Sequence, residues 1–122
     1  AKLTEKPHFQ TVAEIERRGR RALAFPLNVM EAEPLQAAVR ETAEKLGRLD
    51  ILVNNAGGVT RRAFVELQPK NWQRHIDLNL TSNLAATQAA IPAMIAGGRG
   101  GAIINVTSIE ASRAAPGYAV YA

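Results

Sequence analysis

Three short apolar runs, separated by segments of helical period, organise this chain. They are Ala22-Leu23-Ala24-Phe25-Pro26-Leu27, Leu49-Asp50-Ile51-Leu52-Val53-Asn54 and Ala102-Ile103-Ile104-Asn105-Val106-Thr107. Apolar residues on successive positions, rather than alternating ones, predict strands buried on both faces, as in parallel sheets. Pro26 cannot donate to a ladder, which suits the first run to an edge. Between the first two runs, Leu35, Val39, Ala43 and Leu46 recur at steps of four, four and three and mark one helix face. Pro34 fits that helix's first turn and Gly47 its end. A long helix is predicted from Asn71 to Ile95, kinked by Pro92 and broken by the glycines of 97–101. A short helix is predicted from Val12 to Arg18, opened by a capping box of Thr11 and Glu14. Residues 1–10 read as loop, and residues 108–122 as loop or the start of another element.

Strand, helix, strand, helix, strand predicts an α/β fold with a doubly wound parallel sheet. Ligands in such sheets sit beyond the carboxyl ends of the strands. Those ends carry Asn28-Val29, Asn55-Ala56-Gly57 and Thr107-Ser108, so small and polar residues collect at one rim.

Composition narrows the classes. An apolar share of 47% excludes a disordered chain. No apolar run approaches the ~20 residues that span a bilayer. The polar segment Ala1–Pro7 has no apolar stretch of the signal-peptide kind, so a cytoplasmic protein without membrane contact is expected. The absence of cysteine excludes disulfide scaffolds, thiolate zinc sites and cysteine nucleophiles, and no metal site is assigned. The formal charge is +4, and its densest patch is Arg17-Arg18-Gly19-Arg20-Arg21. That patch is either a nucleic-acid footprint or a helix end closed by Gly19. No aromatic residue is interleaved to stack bases, so the helix end is the reading adopted and no nucleic-acid partner is expected.

At the polar rim the sequence resembles the short-chain dehydrogenase/reductase family. Asn54-Asn55-Ala56-Gly57 is similar to that family's Asn-Asn-Ala-Gly motif, Asn79 to its helix asparagine and Ser108 to its catalytic serine. Tyr121 follows Ser108 by thirteen residues, a family spacing, whereas Tyr118 stands at ten. Asn28-Val29 matches the pair the family sets against the adenine. The resemblance implies a Rossmann-like sheet and hydride transfer between NAD or NADP and a carbonyl or secondary alcohol. It makes Asn79, Ser108 and Tyr121 catalytic, with Ser108 and Tyr121 also on the substrate. It sets Asn28, Val29, Asn55, Ala56, Gly57 and Tyr121 on the cofactor, and it implies a dimer or tetramer.

Each residue also has a plainer role open to it. Asn54 and Asn55 can cap a strand end, and Gly57 and Gly58 can be turn glycines. In the family, backbone at these glycines approaches the nicotinamide ribose where a side chain would intrude. Asn79 is unfavourable inside a helix, which favours a role, and the resemblance implies that it holds a water in a proton relay. His8 and His75 match no motif and are expected on the surface or on a helix face; Arg61 and Arg62, placed where they could touch a substrate, read as a solvated loop. The alanines of 85–96 suit either an oligomer interface or packing within the subunit.

Free phenols titrate near pH 10, and bringing one to about 7 takes about 4 kcal/mol in favour of the phenolate. A lysine and the nicotinamide cation supply this in the family. The family places that lysine four residues after the tyrosine, and its Gly-rich pyrophosphate turn before the first strand. Neither is found in this sequence, and the glycines of 97–101 follow a helix rather than precede one. The resemblance makes the three runs the third, fourth and fifth strands of a longer domain. Two strands would lie between the first and second runs, a gap of about 14 Å. The expectation is therefore a central segment, residues 1–122, of one dinucleotide-binding domain. The alternative is a non-catalytic member that acts as a binding or oligomer partner.

Overall fold

The computed structural model describes residues 7–113 and 115–122. The predicted loop at 1–6 and the side chain of His8 lie outside the described residues. Helix α1 spans Pro7–Arg17, so it begins earlier than the expected Val12. Proline suits a first helical turn, and Thr11 falls inside the helix instead of capping it. Gly19 closes α1 at φ +71°, with its N–H on the Glu16 carbonyl and the Arg20 N–H on that of Ile15.

The arginine run is used within the chain. Arg17 and Arg18 pair with Glu14. Arg21 reaches the open end of helix α2 (Ala32–Leu46) and donates to the carbonyls of Leu46 at 2.8 Å and Lys45 at 3.3 Å. Gly47 stops α2 at φ +91°, where its N–H returns to the Ala43 carbonyl.

The second and third apolar runs form strands β1 (Ile51–Asn54) and β2 (Ala102–Asn105). Both are shorter than predicted. They pair in parallel, Ile51 opposite Ala102 through Asn54 opposite Asn105. The Ala102 N–H on Asp50 and the Val106 N–H on Asn54 extend the ladder at its two ends.

The first run, Ala22–Leu27, is not a strand. Pro26 offers no donor, and among the described residues no strand lies beside this run to complete a ladder. Its side chains are half-buried or exposed, with Leu23 37% exposed.

The predicted long helix comprises three pieces. Helix α3 runs Pro69–Ile76, a π segment covers Asp77–Thr81, and helix α4 runs Ser82–Ala96. Proline at N1 and Asn71 Oδ1, which accepts the Gln68 N–H at 2.9 Å, place the start two residues before Asn71. Pro92 lies inside α4. The irregularity along this stretch falls at 77–81, where the Ser82 N–H reaches the Asp77 carbonyl.

The core is built from small side chains. Ala38 of α2 and Ala85, Ala86, Ala89, Ala90 and Met94 of α4 are buried. Gln36 Nε2 donates to Gln88 Oε1 at 2.9 Å across the α2–α4 seam. Met94 also fills the space a Cβ at Gly101 would need, so the glycine entering β2 is dictated by packing. No helix among the described residues is long and apolar enough to cross a membrane.

Candidate active site

Beyond the carboxyl ends of β1 and β2 lies a cleft of about 360 Å³. Strand ends, loop and helix converge on it: Asn55, Ala56 and Gly57 after β1, Asn79 and Asn83 from the helix, Ser108 after β2, and Tyr121. Tyr118 does not line the cleft. Its ring lies under the Arg61 guanidinium, 5.8 Å from the centroid, and 6.1 Å from the ring of Tyr121. The Arg61–Arg62 loop, expected to be merely solvated, is docked here: the Arg62 N–H donates to the Gly117 carbonyl at 3.0 Å.

Asn105, which lines the cleft, is tied to a buried asparagine behind it. Asn54, 6% exposed, donates from Nδ2 to Asn105 Oδ1 at 2.8 Å and to Thr87 Oγ1 at 3.2 Å. The two asparagines are register partners, so their side chains share a sheet face, and Thr87 of α4 covers it. Asn54 is thus an internal tie between sheet and helix, and Asn55, Ala56 and Gly57 are the exposed members of the motif.

Asn79 clamps the loop after β1. Its Oδ1 accepts the Gly58 N–H at 2.9 Å, while Nδ2 donates to the Gly58 carbonyl at 2.9 Å and the His75 carbonyl at 3.0 Å. Both amide hydrogens are committed. What this residue can offer a water is a second lone pair on Oδ1 and its own carbonyl, which already accepts from Asn83 Nδ2 at 3.0 Å. The π turn holds Asn79 and Asn83 at the cleft, and such turns recur at functional sites. A Cβ at Gly57 would stand 2.9 Å from Asn79 Oδ1. The glycine is therefore required by the approach of loop to helix, a reason other than room for a ribose.

His75 stands on a helix face, one of its two expected placements, but is buried and not at the surface. It is 6% exposed, its Nε2 accepts the Thr60 N–H at 3.0 Å and its Nδ1 lies 2.7 Å from the Asn71 carbonyl. That pattern fits the neutral ring with the proton on Nδ1. His75 and Asn79, one helical turn apart, pin Thr60 and Gly58 of the same loop. The sequence signal available was the four-residue spacing, since i and i+4 share a face.

Ser108 caps a short 3-10 turn, Ile109–Ala111. Its hydroxyl donates to Glu110 Oε2, and its Oγ accepts the Glu110 N–H at 3.4 Å. The Ser108 hydrogen bond, followed by the backbone N–H, holds the Glu110 carboxyl below its ordinary value; desolvation opposes this and Arg113 adds to it.

Two cofactor candidates lie elsewhere. Asn28 closes a turn, accepting the Met30 N–H at 3.2 Å and donating to Glu31 Oε1 at 3.1 Å, and it does not line the cleft. Val29 lines a neighbouring groove of about 170 Å³ that shares Asn55 and Ala56 with the cleft.

The chain belongs to the short-chain dehydrogenase family, whose model matches residues 1–122. It is 37% identical over 113 residues to an uncharacterized NAD-dependent oxidoreductase of Mycobacterium tuberculosis, covering 93% of this chain and 41% of that protein. The chain thus spans less than half the length of the curated relatives it matches. Among solved structures, carveol dehydrogenase from Mycobacterium avium in complex with NAD superposes with a TM-score of 0.86 at 35% identity, over 92% of this chain and 41% of that one. A short-chain dehydrogenase from Burkholderia cenocepacia in complex with NADP gives 0.89 at 31% identity, over 99% and 49%. The fold is that of Rossmann-type short-chain dehydrogenases, and β1 and β2 form a parallel pair within it.

Proposed function

We propose that these residues are the central part of a single-domain NAD- or NADP-dependent oxidoreductase that interconverts a carbonyl compound and its secondary alcohol. The observation that carries this reading is the meeting of Asn79, Ser108 and Tyr121 in one cleft at the carboxyl ends of two parallel strands. Its volume of about 360 Å³ lies in the range of small-molecule sites. Asn55, Ala56 and Gly57, all exposed to the cleft, fit a flat polar ring and its sugar and would hold that end of the cofactor, with Val29 toward its other end.

The nicotinamide, when bound, supplies or accepts the hydride. The chain's own residues handle the oxygen and its proton. Tyr121 gives a proton to the carbonyl oxygen, or takes one from the alcohol, as general acid–base. Ser108 fixes that oxygen by hydrogen bond. Asn79 holds the loop that shapes the cleft and carries a carbonyl that can bind a relay water. A non-catalytic partner protein would have no use for a serine and a tyrosine on one cleft. A dimer or tetramer belongs to the same reading, because Leu84 and Ile91 of α4 remain exposed at 60% and 43%.

The test is turnover of a panel of alcohols and ketones by the complete protein with each cofactor, beside its Ser108→Ala variant. Turnover is expected to fall about 10²–10³-fold, the usual effect of losing one oxyanion donor, with cofactor affinity unchanged. A variant within threefold of the parent would count against the assignment.

A further inference from the structure

Arg61 docks on the segment that carries Tyr121. Among the described residues its guanidinium pairs with no carboxylate, and it lies instead over the Tyr118 ring, 5.8 Å from the centroid. That distance is within reach of a cation–π contact. The Arg61 stem packs on Gly117, where an added Cβ would stand 2.8 Å from Arg61 Cγ, and Gly117 turns at φ +86°. The next residue adds a hydrogen bond, from the Arg62 N–H to the Gly117 carbonyl at 3.0 Å. Among the described residues, that bond alone ties residues 115–122 to a distant part of the chain. The others run within the segment, from Tyr118 to Ala115 and from Tyr121 and Ala122 to Tyr118.

Tyr121 is placed by the same turn. Its N–H donates to the Tyr118 carbonyl at 2.8 Å, and its ring meets the Tyr118 ring at 6.1 Å between centroids, tilted by 57°. The loop that bears Arg61 is itself fixed, since Asn79 clamps Gly58 and His75 accepts the Thr60 N–H. A line of contacts thus runs from helix to loop, from Arg61 to Tyr118, and from Tyr118 to Tyr121. A general acid–base works only within hydrogen-bond reach of the oxygen it serves, and a displacement of about 1 Å can cost about 10²-fold in rate. We propose that Arg61 is a positioning residue that sets the Tyr121 phenol toward the substrate oxygen through the Tyr118 ring. The role needs no contact of Arg61 with substrate or cofactor. It rests on the reading of Tyr121 as the acid–base residue of the cleft.

Four variants separate the parts of this line. Arg61→Ala removes guanidinium and stem together, and Arg61→Lys keeps a cation on a long stem. Tyr118→Leu removes the ring that Arg61 covers and Tyr121 meets, and Tyr118→Phe keeps it. The cofactor end of the loop is held separately by Asn79 and His75, so cofactor affinity should be spared in all four.

The experiment uses the complete protein and a panel of secondary alcohols and ketones, the best-used member then serving for every variant. Steady-state turnover is measured beside cofactor affinity by fluorescence titration and the melting temperature. In Arg61→Ala, kcat should fall about tenfold while cofactor affinity stays within about twofold. The melting temperature should move by less than about 4 °C, since an exposed cation–π contact is lost. Arg61→Lys should recover to within about threefold of the parent. Tyr118→Leu should lose about as much as Arg61→Ala, and Tyr118→Phe should keep at least about half of the parent rate. The double variant Arg61→Ala with Tyr118→Leu should stay near a loss of about tenfold and not approach about a hundredfold, because both changes break one contact. An Arg61→Ala rate within about twofold of the parent, or losses that multiply in the double variant, would overturn the proposal while leaving the enzyme reading intact. So would a Tyr118→Phe rate as low as that of Tyr118→Leu, or a joint fall of rate, cofactor affinity and melting temperature. A parent protein that oxidises no alcohol and reduces no ketone with either cofactor would overturn the functional reading, and this proposal with it.

Discussion

Residues 22–27 and residues 49–54 are both six-residue apolar runs, yet only the second becomes strand. β1 has β2 beside it, and each of its four residues has a register partner. The Ala22–Leu27 run has none among the described residues, and Pro26 removes one of the donors it could have offered. Apolar character thus selects residues suited to a sheet interior, but pairing makes the strand. The difference extends to side chains. Asn54 at the end of β1 is fixed by Asn105 and Thr87, whereas Asn28, just past the first run, turns to serve its own neighbours.

The largest expected effect comes from withholding any further strands. Ile51, Val53, Ile104 and Val106 are 48–58% exposed along the strand pair. A folded domain has only about 5–15 kcal/mol of net stability, too little to leave such a sheet uncovered. The 122-residue chain by itself is expected to melt without a sharp transition by circular dichroism, and to show no turnover with either cofactor. A cooperative melt with micromolar cofactor binding would break the comparison.

Gly57→Ala in the complete protein is next. The added Cβ meets Asn79 Oδ1 at 2.9 Å, a side chain held by three hydrogen bonds that cannot swing away cheaply. A loss of about 1–3 kcal/mol by urea titration is expected, together with weaker cofactor binding. Asn54→Ala removes a buried amide with its hydrogen bonds to Asn105 and Thr87 and should cost about 1–2 kcal/mol in the same measurement. His75→Phe removes the acceptor of the Thr60 N–H and should cost about 1 kcal/mol, with His75→Gln recovering part of it.

The smallest effect concerns Glu110. Its carboxyl titrates below the ordinary value, so its contribution is present above the unfolded-state pKa and is lost as pH falls through the folded one. The acid limb of the stability curve should therefore be shallower in Glu110→Gln, measured as the melting temperature between neutral and acid pH.

Much of this was legible in the residues. Helix α2 was readable because its apolar spacing, its proline and its glycine stop all agree. The rim was readable because small and polar residues follow each apolar run. The clamp made by His75 and Asn79 was not legible, since its partners are backbone groups of a loop 15 and 21 residues away. Nor was the π turn, which depends on how the helix meets that loop rather than on local propensity. The strand expected at 22–27 failed because pattern reports what a segment could pair with, not whether a partner is present. Ser108 was identified by its resemblance, but its hydrogen bond with Glu110 was not, since no motif named that residue.

The functional account rests on the cleft where Asn79, Ser108 and Tyr121 meet, and Tyr121→Phe tests it most directly. The substitution removes one oxygen and keeps the ring. In the complete protein, turnover is expected to fall by about 10²–10⁴-fold, the usual contribution of general acid–base catalysis, while nicotinamide cofactor binding by fluorescence titration stays within about twofold. A Tyr121→Phe protein that keeps more than about a tenth of the parent rate would contradict the assignment of Tyr121 as the acid–base residue of this cleft.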